Sequence, residues 1–221
     1  KKTSQPMINL SLFGNKTFSF ANLSAMLNFM SQYVMTFLTP FYLQRVLHYR
    51  ASDTGLLMAC FSLIVLCVAP FSGVLSDHVG TKSLACMGAA TCAVALFLMS
   101  RVGSSASFMD VAWRLALFGF GTGIFQSPNN SAVMGSAPRP YLGVASGILA
   151  TMRNVGMVLG VAISGAVLYS LVPSIVLQKP YLEASEAQIF LSGLRCAYLA
   201  GGILTGIASL TSLIQGRQGK T

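Results

Sequence analysis

Apolar residues along this chain gather into six long runs separated by short polar breaks. A helix rises about 1.5 Å per residue and a bilayer's hydrocarbon core is roughly 30 Å thick, so about 20 mostly apolar residues make one crossing. Six windows approach or exceed that length: Phe18 to Phe41, Gly55 to Leu75, Ser83 to Ser100, Phe108 to Met134, Leu142 to Leu171 and Ile189 to Ile214. They predict an all-α, polytopic membrane protein with six transmembrane helices. Residues 1–17 are then a cytoplasmic linker with an amphipathic stretch from Met7 to Phe13, residues 18–214 the bundle, and 215–221 a cytoplasmic tail.

Composition supports the spans. The 221 residues are 54% hydrophobic and only 9% charged, with a mean hydropathy of +0.68, whereas about 25% charged is usual in a soluble domain. A buried soluble helix explains one such window, not six.

The formal charge of +9 raises nucleic acid as a partner, but its basic residues are dispersed. With a cytoplasmic N-terminus, Lys1, Lys2, Lys16, Lys82, Arg139, Arg217 and Lys220 fall on cytoplasmic segments, and Arg153 just inside the fifth span. Arg45, Arg50, Arg101, Arg114, Lys179 and Arg195 fall toward the outside, where Asp53, Asp110, Glu183 and Glu186 offset them. The net bias is positive inside, in a cell membrane, with both termini cytoplasmic. The five cysteines all lie within spans and imply neither a disulfide framework nor a metal site. The chain opens on Lys1-Lys2-Thr3 with no methionine and no signal-peptide pattern, as the middle of a longer protein would.

Polar residues inside spans are costly against lipid and face the bundle interior or a cavity. In the first span Ser24, Asn28, Gln32 and Thr36 recur every fourth residue as one stripe, with Tyr33 beside it and Pro40 ending the run. Either a substrate path or simple interhelical hydrogen bonding accounts for such a stripe. Met26, Met30, Met35, Phe29 and Phe37 supply soft apolar surface around it. Pro128, followed by Asn129 and Asn130, is expected to break the fourth span near its cytoplasmic end. In the fifth span Gly143 and Gly147, then Gly156 and Gly160, are spaced i, i+4, so each pair lets a neighbouring backbone come close.

Between the second and third spans lies Gly73-Val74-Leu75-Ser76-Asp77-His78-Val79-Gly80-Thr81-Lys82. Gly73 and Gly80 permit close approach and a tight reversal, Asp77 places a carboxylate at the membrane face, and Lys82 adds positive charge there. The pattern resembles the loop signature of the major facilitator superfamily, with His78 and Thr81 standing where arginines are common. Further on, Gly119, Gly121 and Gly123 lead into Gln126-Ser127-Pro128-Asn129-Asn130-Ser131, followed by Gly143-Val144-Ala145-Ser146-Gly147, Arg153-Asn154-Val155-Gly156 and Gly160. This stretch looks like the fourth and fifth helices of the C-terminal half of a drug:proton antiporter in the fourteen-span branch.

That resemblance, which covers essentially the whole chain, implies one half of a major-facilitator fold whose N-terminal half is missing from this sequence. It implies that Gly73, Asp77, Gly80 and Lys82 form a cytoplasmic gating loop. It also implies that the first and fourth helices line a cavity, setting Asn28, Gln32, Tyr33 and Thr36 opposite Gln126, Asn129 and Asn130. The expected partners are the lipid bilayer, the missing half, a small-molecule substrate and protons, with no cofactor and no nucleic acid.

Enzyme chemistry finds no support: there is no phosphate-cradling loop, no paired histidines at metal spacing and no nucleophile with an evident base. The expected function is alternating-access, proton-coupled export of small hydrophobic or cationic compounds. An uptake symporter of the same superfamily and a non-transporting six-span subunit or channel are the alternatives. Proton coupling needs a membrane-embedded carboxylate, and the spans offer only Asp110, near the outer end of the fourth, so the coupling acid is expected in the missing half.

Overall fold

The apolar runs do form helices. A computed structural model of the chain describes residues 10–179 and 181–214. After a 3-10 turn at Leu10–Gly14 come α1 (Lys16–Arg45), α2 (Ala51–Val79), α3 (Thr81–Met99) and α4 (Phe108–Ser136). A second 3-10 turn, Arg139–Tyr141, leads into α5 (Leu142–Leu171), the short α6 (Ser174–Gln178) and α7 (Ala184–Ile214). The expected tail at 215–221, and residues 1–9 of the expected linker, lie outside the described residues.

Five of the long helices, α2, α3, α4, α5 with its preceding turn, and α7, are long and apolar enough to cross a membrane. The sixth, α1, has 30 residues, about 45 Å of helix, but its polar stripe keeps it below the same apolarity. Its place among α4, α5 and α7 explains why that is tolerated.

Pro128, expected to break the fourth span, lies inside a continuous helix: α4 runs through it, as α1 runs through Pro40 and α2 through Pro70. Each removes one backbone donor, a loss that neighbouring helices absorb within a packed bundle. The joint differs too. Here α2 extends to Val79 and α3 begins at Thr81, so the reversal is Gly80 alone, at φ +95°, and Gly73 to Asp77 are helical.

The packing has an approximate two-fold pattern. α1 packs chiefly on α5 and α7, α4 chiefly on α2 and α3, α3 packs on α7, and α1 meets α4. Exchanging α1 with α4, α2 with α5 and α3 with α7 maps this pattern onto itself, as two related three-helix units would. α2 and α5 therefore stand at the two edges, with only 17% and 22% of their apolar windows buried against 44% for α3, α4 and α7. Away from α3 and α7, α1 and α4 present a face flanked by these edges.

Close backbone approach and hydroxyl pairs hold the helices together. Gly88 of α3 and Gly121 of α4 interlock: a Cβ on Gly88 would fall 2.7 Å from the Gly121 carbonyl oxygen. Along the α1–α7 seam, Ser24 pairs with Thr211 at 2.7 Å, Thr205 donates to Ser31 at 2.8 Å, and Thr39 pairs with Tyr198 at 2.8 Å. Interhelical hydrogen bonds of this kind contribute about 0.6 kcal/mol each on average. Ser24, read as part of the polar stripe, is thus committed to helix packing.

Candidate functional site

Burial divides the seven expected cavity residues. Gln32, Tyr33 and Thr36 on α1, and Gln126 and Asn130 on α4, remain partly exposed. Asn28 and Asn129 do not, at 0% and 1% exposure, so they sit inside the bundle rather than on its face. The reason is rotational: a stripe at every fourth residue drifts around a helix of 3.6 residues per turn, and its Asn28 end turns toward α3. There the Asn28 amide lies beside the Cys92 thiol, while neither its Oδ1 nor its Nδ2 has a hydrogen-bond partner. Asn129 Oδ1 and Gln32 Oε1 are likewise buried without one. Each such group costs about 1–3 kcal/mol, so these amides are expensive features of an apolar bundle.

A further residue was underestimated by the sequence. Arg153, placed just inside the fifth span, lies about 5 Å from the midpoint of α5, counting 1.5 Å per residue along Leu142–Leu171. It is half-buried. Its Nη2 donates to Asn130 Oδ1 on α4, its guanidinium lies over the Phe29 ring, 5.4 Å from the centroid, and its Nε has no partner. An arginine at mid-helix costs about 3 kcal/mol on insertion scales. Counting residues from the start of the span would have found it.

No described carboxylate accompanies it at that depth. Asp53 and Asp110 are in the first turns of α2 and α4, Asp77 is in the last turn of α2, and Glu183 and Glu186 are at the start of α7. Asp110 completes a capping box with Ser107 and lies 3.6 Å from Arg114. Lys179 is paired with Glu186 at 2.6 Å, and that carboxylate holds the ammonium's pKa above its ordinary value.

At the joint, Asp77 and Gly80 are exposed and Lys82 is partly exposed. Gly73 faces α4, where a Cβ would lie 2.9 Å from Ser127 Oγ. The fifth-span glycines split as well. A Cβ on Gly156 would lie 2.5 Å from the Met26 carbonyl oxygen, and one on Gly160 would collide with that of Met30, so this pair seats α5 on α1. Gly143 and Gly147 have open space at the Cβ position and make no close approach within the bundle. A cavity of about 650 Å³ lies at the opposite end of α1, lined by Arg45, Tyr49, Arg50 and Tyr181 among others, and contains none of the expected cavity residues. Among the described residues no group of His, Cys, Asp and Glu could hold a metal ion.

A multi-helix bundle with apolar edges and a polar face between them is the architecture of a membrane-transport protein. The chain belongs to the Major Facilitator Superfamily, whose sequence profile it matches over residues 2–161. It is 32% identical over 161 residues to the riboflavin transporter RibZ of Clostridioides difficile, covering 73% of this chain and 35% of that protein. It is 31% identical over 184 residues to the multidrug resistance protein Stp of Mycobacterium tuberculosis, covering 83% of this chain and 34% of that one. With the colistin resistance protein EmrB of Acinetobacter baumannii it shares 25% identity over 159 residues, or 72% and 31% of the two chains. The chain thus spans about a third of the length of the curated relatives it matches. It is a multi-pass membrane member of a transporter family, not an enzyme.

Proposed function

We propose that this chain forms the C-terminal six-helix half of a secondary transporter of the fourteen-span type, exporting small hydrophobic compounds in exchange for protons across the cell membrane. The open face of α1 and α4, carrying Gln32, Tyr33, Thr36, Gln126 and Asn130 between the edges α2 and α5, is the observation that supports it. Two such bundles rocking against each other would give alternating access to a site between them. Multidrug names among the relatives favour export. The orientation follows the positive-inside bias, with the Gly80 end and both termini cytoplasmic.

Asp77 then serves the gate. It is exposed and makes no hydrogen bond or ion pair with any described residue, so a locking partner would come from the other half. Proton coupling is likewise proposed for that half, a reading supported by the position of the described acidic residues at or beside helix ends. Cationic substrates would need their counter-charge from there too.

Flux assayed in both directions in vesicles tests the proposal, with Gln32→Ala, Gln126→Ala and Asp77→Asn made in the intact protein. Loss of proton-driven export with normal membrane insertion is the expected result. Accumulation in the same direction as the proton gradient would instead identify an uptake symporter, and unchanged flux in all three variants would contradict the site.

A further inference from the structure

Arg153 differs from the other embedded or near-embedded cations in what satisfies it. Arg114 has Asp110, Arg45 donates to the Leu177 carbonyl at 2.8 Å, and Arg195 is exposed on α7, where a long side chain can reach outward. Arg153 stands near the middle of α5 with one neutral side-chain acceptor, Asn130, and an aromatic face, Phe29. A guanidinium offers five N–H donors in a plane, and one amide oxygen uses only part of them; Nε is buried and unpartnered. The charge also has no counter-ion within the described bundle, since all five acidic residues lie at or beside helix ends.

The neighbours define what would complete it. Asn130 is on the partly exposed side of α4 and Phe29 on that of α1, so the guanidinium bridges α5 to α4 across the front of α1, on the open face. Granted the substrate path over that face, we infer that Arg153 is the anchor for a carboxylate carried by the transported molecule. The planar fork pairs with a carboxylate through two parallel hydrogen bonds, while Phe29 and the adjacent Met26 offer apolar surface to the rest of the ligand. The ligand class is an amphipathic organic acid, and this half of the protein disfavours organic cations.

The test uses two dyes that differ only at one end, dansylglycine and its carboxamide, titrated by fluorescence against the intact protein in lipid nanodiscs. Wild type is expected to bind the acid at least tenfold more tightly than the amide. Arg153→Gln brings that ratio to about one while leaving amide affinity within twofold, a split that a merely structural arginine would not produce. Arg153→Lys keeps part of the preference, because a point charge remains without the fork. Asn130→Asp supplies a carboxylate to the guanidinium from within the protein, so it also abolishes the preference, and its unchanged or raised melting temperature shows that the fold is intact. A tenfold preference that survives Arg153→Gln overturns the inference. So does a wild-type ratio near one, and if Arg153→Gln then also lowers the melting temperature, the counter-ion is a carboxylate side chain outside the described helices. Failure of both dyes to bind wild type counts against the open face as the substrate path and the anchor falls with it.

Discussion

Replacing Gly156 and Gly160 by alanine places one methyl group each between α5 and α1. The Cβ on Gly156 would stand 2.5 Å from the Met26 carbonyl oxygen, and ordinary contact begins at 3.4 Å. Backbone cannot rotate aside as a side chain can, so α5 must withdraw by about 0.9 Å. A gap of 0.5–1 Å forfeits roughly a quarter to a half of the dispersion energy of each contact it opens, and overpacking of this kind costs about 1–3 kcal/mol. Against it stands the gain of about 0.5–1 kcal/mol that alanine brings over glycine in a helix. Gly143 and Gly147, on the same helix with open space at Cβ, receive the gain without the clash. Because propensity is common to both pairs, the double variant at 156 and 160 should be less stable than that at 143 and 147 by at least about 1–3 kcal/mol. Reversible unfolding in mixed micelles of lipid and denaturing detergent reads the difference. Equal stability of the two double variants would refute the close α1–α5 seating.

Three smaller effects follow from the same structure. Gly80→Ala puts a side chain at φ +95°, and thermal unfolding should show a loss of about 1–2 kcal/mol with the fold retained. Thr205→Val removes the hydroxyl that bonds Ser31 in the α1–α7 seam, lowering unfolding free energy by about 0.6 kcal/mol. Lys179→Gln removes the pair with Glu186; because the folded-state lysine pKa is raised, the wild-type advantage is full below the unfolded lysine value and disappears as pH rises through the folded one, which melting curves across alkaline pH would trace.

What the sequence made legible was set by periodicity and length. Long apolar windows fix the existence of helices, and Leu142 to Leu171 matches α5 residue for residue. Their ends were less legible, because polar residues such as Ser76 and Asp77 extend α2 by a turn beyond its apolar run. The break expected at Pro128 is not there because tertiary packing overrides the local penalty of proline. At the site, a four-residue stripe marks α1 as polar but cannot say which end of a drifting stripe faces a neighbour; hence Asn28 is enclosed while Gln32 and Thr36 are partly open. Identical spacing also hides opposite roles: Gly156 and Gly160 meet backbone, Gly143 and Gly147 meet nothing, and only the rotation of α5 against α1 distinguishes them. Arg153 is legible only as a cation just inside the fifth span, because its importance depends on depth and on a partner 23 residues away in sequence.

Water access at mid-membrane tests the open face of α1 and α4 as a substrate path most directly. With the five cysteines of this chain and any others of the intact protein replaced, single cysteines at Gln32, Gln126 and Asn130 are compared with controls at Ile203 and Leu210, exposed positions on α7, using a charged, membrane-impermeant thiol reagent on the intact protein in membranes. Rapid labelling at the first three and none at the two controls is the predicted result. No labelling at positions 32, 126 and 130, or equal labelling at all five, would contradict it.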